Sequence, residues 1–172
     1  TLNNCKGRFG RHSVSGTVIV QFTPGDANMM HADFTSQGLT IDGKAANHSA
    51  SAEITFENGA RHIVWTGGFD TVSDSGEAIV HTSNLTIHVD TVAKCRTRNG
   101  TGQTTIGDRQ MSTTFTDLKV CRGDLGVRSC PTGSVSHTRG DKSVSVAFDG
   151  TNVAVVTGPK GQTFEKTLMC GG

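Results

Sequence analysis

The chain contains no tyrosine and only one tryptophan among its 172 residues. Sugar-binding sites commonly use exposed aromatic rings for stacking, so this scarcity disfavours a carbohydrate-binding role. Charged residues make up 18% of the chain, and the formal net charge is +1. Disorder driven by excess charge is therefore not expected. The composition also lacks the concentrated basic character of nucleic-acid-binding proteins, and we predict no nucleic-acid partner.

Long hydrophobic runs are also absent. The longest uninterrupted aliphatic run is Val153 to Val156. A transmembrane helix needs about 20 predominantly apolar residues. The sequence therefore predicts no transmembrane segment.

Hydrophobic periodicity indicates strands throughout the chain. No window repeats apolar residues at helical spacing, whereas alternation with a period of two recurs, as between Ser13 and Thr23. Several such segments are separated by glycine-containing turns. We therefore predict a single all-β domain over residues 1–172. Its architecture is an antiparallel sandwich or an extended β-meander sheet, and the sandwich is favoured.

Turn chemistry predicts two strand registers. Asn58-Gly59 is the dipeptide preferred by two-residue hairpin turns, and it would place Ile54 opposite Ile63. A similar turn at Asp149-Gly150 would place Val146 opposite Val153. Between these hairpins, residues 96–109 are rich in glycine, threonine and charge, and we expect a long loop there.

The five cysteines favour disulfides in an oxidising compartment. None belongs to a Cys-x-x-Cys pair, and no histidine stands at zinc-finger spacing, so a structural zinc site is not expected. Four disulfide candidates, Cys95, Cys121, Cys130 and Cys170, lie in the second half of the chain and suggest two bridges of undetermined pairing. The alternative is a set of reduced, buried thiols in a cytosolic protein.

Cys5 remains outside those two bridges. It could form an intermolecular disulfide, or it could carry a modification. Leu2 stands three residues before it, as in a bacterial lipid-attachment site, although Asn4 replaces the small residue expected there.

No catalytic constellation is visible. There is no Gly-x-Ser-x-Gly nucleophile turn, and the glycines after Gly100 lack the spacing of a nucleotide-binding loop. The acidic stretch 70–77 lacks the spacing of a helical calcium loop. We therefore predict a protein that is not an enzyme and has no catalytic residue, metal site or cofactor.

An adhesion motif is a further candidate. The tripeptide Arg122-Gly123-Asp124 lies between Cys121 and Cys130, and a disulfide between these cysteines would close a tight loop resembling an integrin-recognition loop. We name Arg122, Gly123 and Asp124 as its candidate residues. The alternative is that Gly-Asp is ordinary turn chemistry.

The C-terminal part carries a family resemblance. Cys130, Pro131 and Gly133 are followed by alternating residues and then by Phe148-Asp149-Gly150-Thr151. Over residues 130–172 this pattern resembles β-rich domains of bacterial secreted and outer-surface lipoproteins, most of which have no assigned activity. The resemblance implies an extracellular, cell-surface or periplasmic location. The sequence departs from the pattern in lacking a cysteine shortly after Asp149-Gly150.

These observations predict a non-enzymatic, exported β-protein. Its expected role is a structural or adhesive component of a cell surface or extracellular assembly, with protein partners or self-association through an unpaired sheet edge. The alternative is a small extracellular module that binds a ligand or carbohydrate.

Overall fold

The computed structural model describes residues 1–6, 12–123 and 128–170. Within these ranges the chain forms strands and no helix. The strands are β1 (Leu2–Lys6), β2 (Ser13–Pro24), β3 (Met29–Ile41), β4 (Lys44–Ala45), β5 (Asn47–Glu57), β6 (Ala60–Val72), β7 (Ala78–Asp90), β8 (Cys95–Ile106), β9 (Arg109–Cys121), β10 (Thr132–Arg139), β11 (Lys142–Asp149), β12 (Val153–Thr157) and β13 (Thr163–Thr167). The predicted all-β class is confirmed.

All thirteen strands belong to one antiparallel sheet. Each strand pairs with the next one in sequence, with one exception. The short β4 pairs only with β3, and β3 continues the sheet by pairing with β5. The extended β-meander is therefore the correct architecture, and the favoured sandwich is wrong. A sandwich needs connections that cross to a second layer. Here each strand lies beside the preceding one, apart from β5, which lies beside β3, and the substantial contacts run between neighbouring strands.

The central hairpin forms as its sequence predicts. Asn58 and Gly59 both adopt positive φ, at 47° and 76°, as the two-residue turn of type I′ requires. Ile54 lies opposite Ile63, and Trp65 lies opposite an alanine of β5. This register prediction is confirmed.

The long loop predicted over residues 96–109 is wrong, because β8 occupies most of that stretch. Its threonines suit a pleated surface, and Gly100 leaves room for the backbone of the neighbouring strand β7. A Cβ on Gly100 would lie 2.2 Å from the carbonyl oxygen of Asn84. The glycines that suggested a loop instead allow two backbones to approach closely.

Two adjacent β-bulges interrupt the ladder at β9. The register shifts between Arg98 and Gly100, where β8 meets β9, and again beside Gly133, where β10 meets β9. The extra residue is Asp117, with φ 47°. Its backbone N donates to Asn99 Oδ1 at 2.6 Å, and Asn99 Nδ2 donates to its Oδ1 at 2.9 Å. Because each bulge absorbs one residue, the strands keep the same side chains on the same face on both sides of it.

The C-terminal turn is longer than predicted, which corrects the register after it. Val146 lies opposite Val156, and not opposite Val153. The Asp149 carboxylate accepts bonds from the backbone N of Thr151 at 2.9 Å and from its Oγ1 at 2.7 Å. These hydrogen bonds hold the pKa of Asp149 below its usual value. They also stabilise a local Asx-type turn in place of the two-residue hairpin.

Two disulfides are present, and they use all four predicted cysteines. Cys95 pairs with Cys121 across β8 and β9, and Cys130 pairs with Cys170 near the C-terminus. Cys5 is exposed and free. Such bridges are typical of an oxidising, extracellular-type environment. Among the described residues, no helix is long and apolar enough to cross a membrane.

Candidate functional site

The strand registers align apolar residues into one continuous row across the sheet. Consecutive partners run from β2 to β13, omitting only β4, and they share one face because side chains alternate along each strand. The row consists of Phe22, Ala32, Ala52, Trp65, Leu85, Gly100, Phe115, Val135, Val146, Val156 and Phe164. We call this row the apolar row, and the side of the sheet that carries it the apolar face.

The opposite side of the sheet, here called the polar face, carries hydroxyl and amide groups in the same strands. Its parallel row begins one residue away from the apolar row in each strand. It consists of Gln21, Asp33, Ser51, Thr66, Asn84, Thr101, Thr114, Ser136, Ser145, Thr157 and Thr163. These two rows therefore differ in chemistry over nearly the whole length of the sheet. Away from its polar row, the polar face also carries exposed apolar side chains, namely Ile19, Met29, Val64, Val72, Val80 and Val155.

Aromatic contacts concentrate at the centre of the apolar face. The Trp65 ring lies 5.0 Å from the ring of Phe34, and its Nε1 donates to Ser83 Oγ at 3.2 Å. Further along β6, Phe69 stacks on His81 of β7, with ring centroids 5.2 Å apart. These contacts join side chains that project from the same face of the sheet, and each ring is half-buried.

No described segment covers the apolar face. Among the described residues, six hydrophobic residues, four of them alanines, are buried: Ala32, Leu39, Ala46, Ala52, Cys95 and Ala154. The protein exposes 11133 Å², whereas a compact domain of this mass exposes about 8,000 Å². The excess of about 3,000 Å² exceeds the 1,200–2,000 Å² buried in a standard protein interface.

Charge divides between the faces as sharply as polarity does. All the carboxylates within the strands lie on the polar face: Asp33, Glu53, Glu57, Asp70, Asp90, Asp117, Asp149 and Glu165. The apolar face instead carries Lys44, Arg61, Arg96, Arg98, Arg109, Arg139, Lys142 and Lys166. A net charge of +1 conceals this separation.

Three arginines form a cluster beside the apolar row. Arg61 and Arg96 lie in one row, separated by Val89, and Arg98 follows Arg96 on the same face. We call Arg61, Arg96 and Arg98 the arginine cluster. None of the three has an ion pair within the described parts of the chain, whereas Arg109 is paired with Glu77 at 2.8 Å.

Arg98 is the most enclosed member of this cluster. Its guanidinium lies 5.2 Å from the centroid of the Phe115 ring, and its Nε is buried without a hydrogen-bond partner. Burial, followed by the nearby charge of Arg96, lowers the pKa of Arg98. The guanidinium stays positively charged at neutral pH because the unperturbed pKa of arginine is far above 7.

Two histidines meet on the polar face, where they form a cross-strand pair. His62 and His88 lie opposite each other, with 3.3 Å between their Nδ1 atoms. Across the described ranges, no group of three or more metal-ligating side chains occurs. The pair therefore lacks the additional protein ligands of a typical structural zinc site.

The adhesion-loop candidate does not have the expected disulfide frame. Cys121 and Cys130 bond to other cysteines, so they do not close a ring around the tripeptide. Arg122 N donates to the carbonyl oxygen of Lys94 at 3.0 Å, and both Arg122 and Gly123 are exposed. Asp124 lies outside the described residues.

No known protein family, curated protein or solved structure matches the chain. The fold and the two faces define it as a single-sheet, disulfide-containing β-protein. Sequence reasoning predicted most of the strands but missed β8 and the arginine cluster. The spacing of Arg96 and Arg98 places them on one face, but Arg61 joins them only through the strand register.

Proposed function

We propose that this protein is a non-enzymatic, exported component of a cell surface or extracellular assembly, with a structural or adhesive role. The observation that carries the proposal is the uncovered apolar face. A surface with such a row would favour contact with another body, since exposed apolar patches of this extent mark interaction sites.

The disulfides support the export part of the proposal. The Cys95–Cys121 and Cys130–Cys170 bridges are of a kind that forms and persists mainly in oxidising compartments. The resemblance of residues 130–172 to secreted and outer-surface lipoprotein domains supports the same location.

Thiol trapping in the source cells tests export. Free thiols are alkylated in intact cells with a membrane-impermeant reagent, and the protein is then analysed by intact mass and peptide mapping. We expect one accessible thiol, Cys5, and both disulfides intact. Five reduced thiols that react only after lysis would contradict the proposal.

A ligand-binding module is the second candidate, and a depression near the centre of the sheet favours it. Its volume is about 870 Å³, and Gly67, Gly68, Phe69 and His81 contribute to its lining. Stacked rings and adjacent hydroxyl groups suit a small polar ligand. Glycan-array binding that disappears in His81→Ala, with an unchanged unfolding midpoint, would favour this candidate.

A further inference from the structure

We propose that the apolar face docks on the surface of an anionic lipid bilayer. The apolar row would enter the boundary between headgroups and acyl chains, and the arginine cluster would bind lipid phosphates. This inference rests on the proposed function in one respect, namely that the apolar face is a working contact surface.

The combination of apolar and cationic groups on one face carries the inference. Proteins that lie on anionic membranes present apolar side chains beside arginine and lysine, because burial and headgroup attraction then act together. Here the sheet joins an apolar row about 48 Å long, from the usual strand spacing, to a cluster of unpaired arginines. The face carries no strand carboxylate that would be repelled by anionic headgroups.

The arginine cluster has the charge and the hydrogen-bond donors to bind a phosphate group. Arg61 and Arg96 are exposed, while Arg98 is partly buried and has an unpaired Nε. A guanidinium presents a planar fork of donors that binds phosphate oxygens in pairs. A phosphate at the cluster would therefore offset both the mutual repulsion of the arginines and the partial desolvation of Arg98.

The two ends of the apolar row are suited to shallow insertion. Phe22 is 58% exposed on β2, and Phe164 is 55% exposed on β13. No described element packs over either ring. Insertion of these rings would remove apolar area from water without any rearrangement of the sheet.

A second copy of the chain is a poorer occupant of this face. Face-to-face pairing would bring two arginine clusters onto a common surface that has no strand carboxylate, and like charges brought together disfavour binding. Stacking the apolar face on the polar face of another copy would match charge. It would, however, place the apolar row against hydroxyl and amide groups, which lose their water.

The proposal also fixes the orientation of the bound protein. The polar face, with all the strand carboxylates, would point away from the bilayer. Repulsion between those carboxylates and anionic headgroups opposes the inverted orientation.

Vesicle sedimentation tests the proposal with the oxidised full chain. The probes are phosphatidylcholine vesicles with and without about 30% phosphatidylglycerol, since anionic lipid supplies the attraction. We expect partitioning onto the anionic vesicles to exceed that onto neutral vesicles by about tenfold or more, and to weaken in high salt.

A matched pair of variants separates the face from net charge. Arg61→Gln with Arg96→Gln removes two exposed charges from the apolar face, and we expect partitioning to fall about 30-fold. Lys6→Gln with Lys119→Gln removes two exposed charges from the polar face, and we expect a fall of less than about threefold. Urea midpoints of both variants, measured in parallel, show that the fold is retained.

Phe164→Ser supplies the apolar part of the test. This edge-strand change should weaken partitioning onto anionic vesicles and leave the urea midpoint nearly unchanged. Equal loss in the two charge variants, equal binding to neutral vesicles, or a stable dimer that excludes vesicles would each overturn the proposal. Because the assay uses purified protein and defined lipid, its failure is distinguishable from failure of export, which thiol trapping measures.

Discussion

The two faces of this sheet are built by the same strands, yet their side chains differ in chemistry and in how they pack. On the apolar face, the side chains of Trp65 and Phe34 shield each other, with ring centroids 5.0 Å apart. On the polar face, the corresponding positions hold hydroxyl and amide groups such as Thr66 and Asn84. At these positions the large half-buried side chains lie on the apolar face, whereas the polar face carries hydroxyl and amide groups together with partly exposed aliphatic residues such as Val64 and Val80.

This difference shows how a single layer can be stable without a conventional core. Cross-strand neighbours contribute about 0.2–1 kcal/mol each, and many such pairs line the apolar row. The polar face carries a covalent connection, the Cys95–Cys121 disulfide. The following changes test how far the two faces differ, in order of decreasing expected effect.

Removal of the disulfide on the polar face should have the largest effect. Cys95→Ala with Cys121→Ala opens a loop with a sequence separation of 26. In the chain-entropy description, its loss lowers the free energy of unfolding by about 3.5 kcal/mol. Urea denaturation measures the change. Cys5→Ala is the control, because this exposed free cysteine should leave the midpoint unchanged.

Trp65→Ala should cost about 2–3 kcal/mol, because it removes a large half-buried ring from the apolar face. Its sequence neighbour on the polar face provides the comparison. Thr66→Ala removes an exposed side chain and should change stability by about 0.5 kcal/mol or less. Urea midpoints of the two variants measure the difference. Equal losses would show that the faces contribute equally, against our interpretation.

Gly133→Ala tests the bulge that keeps the faces aligned. Gly133 has φ +93°, and an added Cβ would lie 2.3 Å from the carbonyl oxygen of Asp117. We expect a loss of about 2 kcal/mol from strain and displacement. Gly140→Ala is the matched control, since Gly140 has φ +59° and an open environment, and it should cost about 1 kcal/mol. Thermal or urea unfolding distinguishes the two.

The smallest effect is expected from Asp149→Asn on the polar face. The folded pKa of Asp149 is lowered, so its stabilising contribution is present above the unfolded pKa and is lost as pH falls through the folded value. The wild type should therefore lose more stability than the variant between about pH 5 and about pH 3. Urea midpoints at the two pH values measure this. Parallel losses would show that Asp149 does not contribute.

The local predictions succeeded where a turn had one well-defined geometry. Asn58-Gly59 fixed the central hairpin because its conformation matches strand twist. Asp149-Gly150 gave a wrong register because the Asp149 carboxylate bonds to Thr151, forming a longer turn. Competition between two turn types is decided by hydrogen bonds that composition does not rank.

In β8, glycine was a misleading indicator of a loop. Gly100 resembled a loop residue, but it lies within a strand, where the backbone of the neighbouring strand is too close to admit a Cβ. A close approach between strands depends on which strand lies alongside. The sequence of one strand does not contain that information.

The sequence by itself determined the all-β class, most of the strands and the set of cysteines available for bridges. These properties follow from local alternation, turn chemistry and residue count, which act over a few residues. The tertiary structure alone decided the single layer, the disulfide pairing and the joining of Arg61 to Arg96 and Arg98. The physical reason is register: alternation assigns each side chain to one of two sides within its own strand, but only hydrogen bonding between strands brings those sides together into two chemically distinct faces.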